Sequence, residues 1–162
     1  MKARMITATG TLLGALGLLG TLGSPATAAQ GSRNCAVNLD TGAVTCAESE
    51  ERALRAVGAR ASLVIARTYD GINYTGTVLA WVQSRACTPS YDSEFQWGDL
   101  RKTAAGNLNN RISSVRTYHR CDVKLFDGFT FTGAQSTWID ASANLAAVRT
   151  GWSNRASSIK FS

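Results

Sequence analysis

The chain has 162 residues, 44% hydrophobic and 17% charged, which suits one domain with a real core and excludes a disordered or collagen-like polymer. Lys plus Arg number 17 against 11 Asp plus Glu, a formal charge of +6. The single histidine, His119, excludes a multi-histidine metal site and leaves a histidine-based catalytic group no other choice.

The N-terminus opens with Lys2 and Arg4, and the run from Ile6 to Leu22 carries no charge. Small residues follow at Ser24-Pro25-Ala26-Thr27-Ala28-Ala29. This order predicts a secretory signal peptide over 1–29, cleaved after Ala28 or Ala29. A membrane anchor is the alternative, but the run is short and glycine-rich for a span. The exported chain keeps 15 basic and 11 acidic residues, a net +4, scattered rather than clustered as a nucleic-acid surface would need. The expected protein is secreted, free of the membrane after cleavage, and monomeric.

Four cysteines, Cys35, Cys46, Cys87 and Cys121, lie in the exported part, and an even count there reads as disulfides. Three pairings are possible. The expected one is Cys35 with Cys46 and Cys87 with Cys121. The first pair brackets two alternating runs around an Asp40-Thr41-Gly42 turn, so a hairpin would bring the sulfurs together. A four-cysteine zinc site is disfavoured because no Cys-x-x-Cys pair exists.

Glu48 to Val57 is the one convincing helix. Ser49 can cap it, Glu50 and Glu51 suit its positive end, and Gly58 stops it. Short β-rich runs follow at Ser62–Tyr69, Val78–Val82, Ile112–Tyr118, Val123–Phe126 and Ser158–Phe161. Turn residues separate them, which predicts an all-β sandwich.

Two signatures then repeat in the same order. Tyr69-Asp70-Gly71-Ile72-Asn73-Tyr74-Thr75-Gly76 aligns with Phe126-Asp127-Gly128-Phe129-Thr130-Phe131-Thr132-Gly133. Asn109-Asn110-Arg111-Ile112-Ser113-Ser114 aligns with Ser153-Asn154-Arg155-Ala156-Ser157-Ser158. Such spacing describes a folded-over hairpin in which a ring packs across the turn and Gly takes a backbone shape that a Cβ forbids. The serine hydroxyls can bond back to that hairpin. Two copies of one unit of roughly 40 to 55 residues follow.

At these residues the sequence resembles the βγ-crystallin superfamily. The hairpin at Tyr69 to Gly76 looks like its Greek-key signature, and Asn109 to Ser114 matches its microbial calcium motif. The exported layout also resembles a bacterial secreted peptidase-inhibitor family of the metalloproteinase-inhibitor type. Its marks here are the Cys-x-x-Asn-x-Asp-Thr-Gly opening at Cys35 to Gly42, a short helix, and a crystallin-like domain over 62–162. The resemblance implies an all-β double Greek-key sandwich, with residues 30–61 as a disulfide-tied hairpin and helix beside it. Its implied core uses Tyr69, Tyr74, Phe126, Phe131, Trp138 and Trp152.

The resemblance also implies weak calcium binding, each ion lying between one serine motif and the hairpin of the other repeat. Ser113 and Ser157 would give hydroxyls, Asn110 and Asn154 carbonyls, and Asp70 and Asp127 would complete the shell. Asn109 is the first motif residue, and its counterpart is Ser153, a departure that weakens the second site. Arg111 and Arg155 add positive charge. Affinity is expected near ~10⁻⁴ M, as in extracellular modules. The alternative is that both serine motifs are structural ties.

Inhibition of an extracellular protease needs a stiff exposed segment. Forty residues separate Tyr69 from Asn109 but 27 separate Phe126 from Ser153. The surplus includes Cys87 to Gly98, so Tyr91, Phe95 and Trp97 are the candidate protease contacts, and Asp92 or Glu94 could reach a protease metal. The competing expectation is that Phe95 and Trp97 pack over the sandwich end. Cys121-Asp122-Val123 is a second candidate segment. No catalytic motif is present: no Gly-x-Ser-x-Gly, His-Glu-x-x-His or phosphate loop. His119 reads as a packed or surface residue, and Asp140 as a turn residue. The chain is therefore expected not to be an enzyme. The functional alternatives are a calcium-stabilised surface-binding module and a killer-toxin-like secreted protein.

Overall fold

The computed structural model describes residues 34–59, 62–103 and 107–162. The expected signal peptide and its cleavage site lie outside the described residues. Among the described residues no helix is long and apolar enough to cross a membrane.

The strands in chain order are β1 (Asn34–Asn38), β2 (Val44–Ala47), β3 (Leu63–Tyr69), β4 (Val78–Gln83), β5 (Phe95–Trp97), β6 (Ser114–Thr117), β7 (Val123–Phe126), β8 (Ala141–Ser142) and β9 (Ser158–Phe161). One helix, α1 (Glu50–Ala56), follows β2. The larger sheet runs β2-β1-β4-β3-β6-β8 and the smaller β5-β9-β7. Bridges Val123↔Ile139 and Phe126↔Gln135 lay 135–139 against the free edge of β7.

This order is a double Greek key. The first repeat supplies β3, β4 and β6 to the larger sheet, but its third strand, β5, crosses to pair with β9 of the second. The second repeat returns the exchange: β8 pairs with β6. The two halves are thus related by a pseudo-twofold axis. The all-β double Greek-key sandwich that the resemblance implies is the architecture observed.

Alternation along the strands builds the core. In β4, Leu79 and Trp81 point between the sheets, while Ala80 and Val82 point outward. Trp81 meets Phe161 across the sandwich at 5.1 Å between ring centroids, and its Nε1 donates to the buried Thr68 Oγ1 at 3.1 Å.

The expected aromatic core is corrected by the same alternation. Tyr69 shares the outward face with Arg67, two residues away, and Phe126 shares it with Lys124. Of the six expected core aromatics, only Phe126 and Trp152 are buried; Tyr69, Tyr74, Phe131 and Trp138 are partly exposed. The centre is filled instead by Ile65, Leu79, Trp81, Leu125, Ile159 and Phe161.

The N-terminal hairpin joins the larger sheet. β1 pairs antiparallel with β2, and its other edge adds in parallel to β4 from Asn34↔Val78 to Asn38↔Val82. α1 closes the outer face. The Ser49 side chain accepts from Arg52 N–H, as its position predicts. Ala53 and Val57 pack on Ala36, Ala80 and Val82. The disulfides are Cys35–Cys46 and Cys87–Cys121, the expected pairing. Disulfides of this kind belong to an oxidising compartment.

Candidate functional site: twin clasps and a tied loop

The two repeats hold their hairpins with the same bonds. Within each hairpin the rings stand edge to face, Tyr69 on Tyr74 and Phe126 on Phe131, both at 5.7 Å. Asn73 and Thr130 sit at φ 55° and 54°, so the chain turns through the left-handed region at matching points. Gly76 has φ 82°, and a Cβ there would lie 2.1 Å from Asp70 Oδ1; Gly133 meets Asp127 Oδ1 at the same distance. That close approach is why glycine ends both signatures.

The serine tie comes from the second serine of each motif. Ser114 Oγ donates to Gly71 O at 2.6 Å and accepts from Tyr74 N–H at 3.1 Å. Ser158 Oγ donates to Gly128 O at 2.7 Å and accepts from Phe131 N–H at 3.0 Å. The first serine of the first motif, Ser113, reaches across to the other motif instead. Ser113 Oγ donates to Asn154 Oδ1 at 3.0 Å and lies 3.1 Å from Ser153 Oγ. Ser157 N–H donates to Phe126 O at 2.7 Å. The motifs also cross-bond: Asn110 N–H donates to Ala156 O, and Asn154 N–H to Ile112 O, both at 2.8 Å.

The sequence reading overlooked a third twin. Asp99 and Asn144 each cap a single 3₁₀ turn, accepting from Arg101 N–H and Ala146 N–H. Each turn buries one leucine completely, Leu100 and Leu145. The signal was an Asx-Leu pair placed shortly before each serine motif.

Calcium asks for six to eight oxygens, carboxylates prominent among them. Here each hairpin carboxylate is already committed on both oxygens. Asp70 Oδ1 accepts from Thr77 N–H at 2.7 Å and Oδ2 from Arg111 at 2.8 Å. Asp127 Oδ1 accepts from Ala134 N–H at 2.7 Å and Oδ2 from Arg155 at 2.9 Å. The Arg155 guanidinium, opposed by partial burial, holds the Asp127 carboxyl below the usual range. At the serine loops the one buried acceptor without a partner, among the described residues, is Asn109 Oδ1. No group of three His, Cys, Asp or Glu that could hold an ion occurs among the described residues. The residues present therefore do not fit an ion ligated by these carboxylates: arginine occupies the cation's place beside each.

The surplus segment forms the other feature. Residues 88–92 are exposed, between buried Cys87 and partly buried Ser93. Cys87 is bonded to Cys121. Ser162 Oγ donates to Ser90 O at 2.6 Å and accepts from Asp92 N–H at 2.8 Å. Glu94 Oε1 accepts from Thr88 N–H at 2.6 Å. Tyr91 is 65% exposed, yet one face of its ring stacks on Trp138 at 5.5 Å and 17°. The Asp122 carboxyl is pushed up by burial and by Asp140, against a smaller opposing effect of the Tyr91 side chain. The second candidate segment thus buttresses the first.

The expected contacts divide. Tyr91 stands outward. Phe95 and Trp97 form β5 and pack half-buried against the core, Trp97 edge-on to Trp81 at 6.2 Å. Glu94 turns inward, its side chain 5% exposed, whereas Asp92 remains exposed. His119 and Arg120 are both at positive φ in the turn before Cys121.

No protein-family model and no curated protein matches the chain. Among solved structures it is similar to a βγ-crystallin domain from Flavobacterium johnsoniae, at 23% identity and TM-score 0.44, covering 60% of this chain and 93% of that one. The N-terminal domain of Protein S is similar at 19% and 0.44, over 60% and 94%. A βγ-crystallin domain from Clostridium beijerinckii is similar at 17% and 0.41, over 60% and 95%. The double Greek key itself rests on the strand order, register and twin clasps above.

Proposed function

We propose that this is a secreted binding protein of the peptidase-inhibitor type, not an enzyme, and that the tied loop at 88–92 occupies the cleft of an extracellular protease. One observation carries the reading. An exposed aromatic, Tyr91, stands on a loop anchored by a disulfide, by Ser162 and by Glu94. Anchoring removes the ordering cost that otherwise weakens loop binding, and aromatic anchors supply most of the energy at such contacts. Asp92 is the exposed carboxylate within the loop and the group that would meet a metalloproteinase's metal. In this reading the serine motifs are ties and require no calcium.

The test is a titration of the exported chain, residues 30–162, against thermolysin-type and subtilisin-type proteases. Stoichiometric inhibition of one class, weakened about tenfold or more by Tyr91→Ala, supports the reading. No inhibition of either class, or full inhibition by the Tyr91 variant, overturns it. Growth inhibition of neighbouring microbes without protease inhibition would favour the toxin-like alternative.

A further inference from the structure

The pseudo-twofold carries Arg67 onto Lys124 and Arg116 onto Lys160. Both pairs sit directly opposite each other on the outer face of their sheet: Arg67↔Arg116 between β3 and β6, and Lys124↔Lys160 between β7 and β9. Like charges so placed repel. All four rest on aromatic rings. Arg67 covers Tyr118 at 5.0 Å and Arg116 covers Tyr74 at 4.2 Å. Lys124 and Lys160 lie 4.9 Å from Trp138 and Phe131.

One difference separates the faces. On the larger sheet α1 brings Glu50, whose Oε1 accepts from Arg67 Nε at 2.7 Å, with both side chains about three-quarters buried. On the smaller sheet, among the described residues, no α-helix lies over the face, and the next residue in the row, paired with Lys160, is Gln96. Neither lysine has a carboxylate within 4.0 Å among the described residues. The molecule thus displays one like-charged pair with its acid and one without.

We propose that the Lys124–Lys160 face is a docking surface for an acidic protein segment, which presents a carboxylate to the two ammonium groups as α1 presents Glu50 to Arg67. Charge complementarity names the occupant, and the covered twin supplies the pattern: a short helix whose first turn carries the acid. Lys124 stands over Trp138, on which Tyr91 stacks, so the face adjoins the tied loop without depending on its role.

The experiment uses a blocked, alanine-based helical peptide with glutamates in its first turn, titrated into the exported chain at low salt and followed by fluorescence anisotropy. Saturable binding is expected. It should weaken about tenfold in the Lys124→Gln/Lys160→Gln double variant, stay unchanged in Lys102→Gln, and vanish when the peptide's glutamates become glutamines. A second reading needs no peptide: Lys124→Glu should raise the melting temperature by making an opposed pair, and Arg67→Glu should lower it by facing Glu50. Undiminished binding by the double variant overturns the proposal. So does binding to a sulfated polysaccharide but not the peptide, no saturable binding at millimolar peptide, or a lower melting temperature for Lys124→Glu.

Discussion

Ser114 and Ser158 each satisfy one carbonyl and one N–H of a hairpin far away in sequence, so their loss leaves polar groups stranded. Ser114→Ala and Ser158→Ala should each cost about 1–3 kcal/mol in denaturant unfolding, with similar losses for the twins. Ser113→Ala should cost less, because Ser153 and Asn154 can re-pair. Asp127 adds a pH dependence. Its folded carboxyl is depressed by Arg155, so its stabilisation is complete above the unfolded value of about 3.9 and lost as pH falls through the folded value. The stability gap between the wild type and Asp127→Asn should be widest near neutrality and close under acid. A gap that widens under acid would contradict this sign. Because arginine already neutralises both hairpin carboxylates, millimolar calcium should leave the melting temperature unchanged and give no heat in titration calorimetry. A calcium-dependent rise would show that Arg111 or Arg155 yields to the ion.

At the scale of elements, the hairpins and their ties are legible in the sequence because they need unusual backbone. The terminal Gly76 and Gly133 sit at positive φ, and a Cβ at Gly71 or Gly128 would collide with Thr75 or Thr132, so both glycines of each signature recur in register. The helix is legible for a similar reason, since Ser49, the paired glutamates and Gly58 are local signals. The crossing strands are not. β5 and β8 have three and two residues, too short to show a period of two, and only long-range pairing defines them. The side of the sheet taken by Tyr69 and Phe126 is also hidden, because a folded-over ring and a core ring look alike as letters. For the tied loop the sequence shows the cysteine and the aromatics but not the inward turn of Glu94, which depends on Thr88 N–H. The disulfide is what this loop's rigidity depends on most. Cys87→Ser/Cys121→Ser should destabilise the protein by roughly 2–4 kcal/mol. It should also weaken protease inhibition more than Cys35→Ser/Cys46→Ser does, as read by paired unfolding and inhibition curves. Equal loss of inhibition in both double variants would assign the effect to stability alone.

At the scale of the whole molecule, two near-copies divide the labour. The symmetric parts, the clasps, the capped 3₁₀ turns and the exchanged strands, hold the sandwich together. The asymmetric parts are where function is proposed: the surplus loop of the first repeat, and the smaller sheet's face, which no α-helix covers among the described residues. The N-terminal hairpin and α1 are themselves an asymmetry, since they extend and cover one sheet and leave its twin open. Amide hydrogen exchange with a catalytically inactivated protease of the class that the titration shows to be inhibited tests the central claim most directly. New protection concentrated in residues 88–92, with the serine loops unchanged, is the expected result; protection elsewhere with none in that loop, or none anywhere at saturating protease, would contradict it.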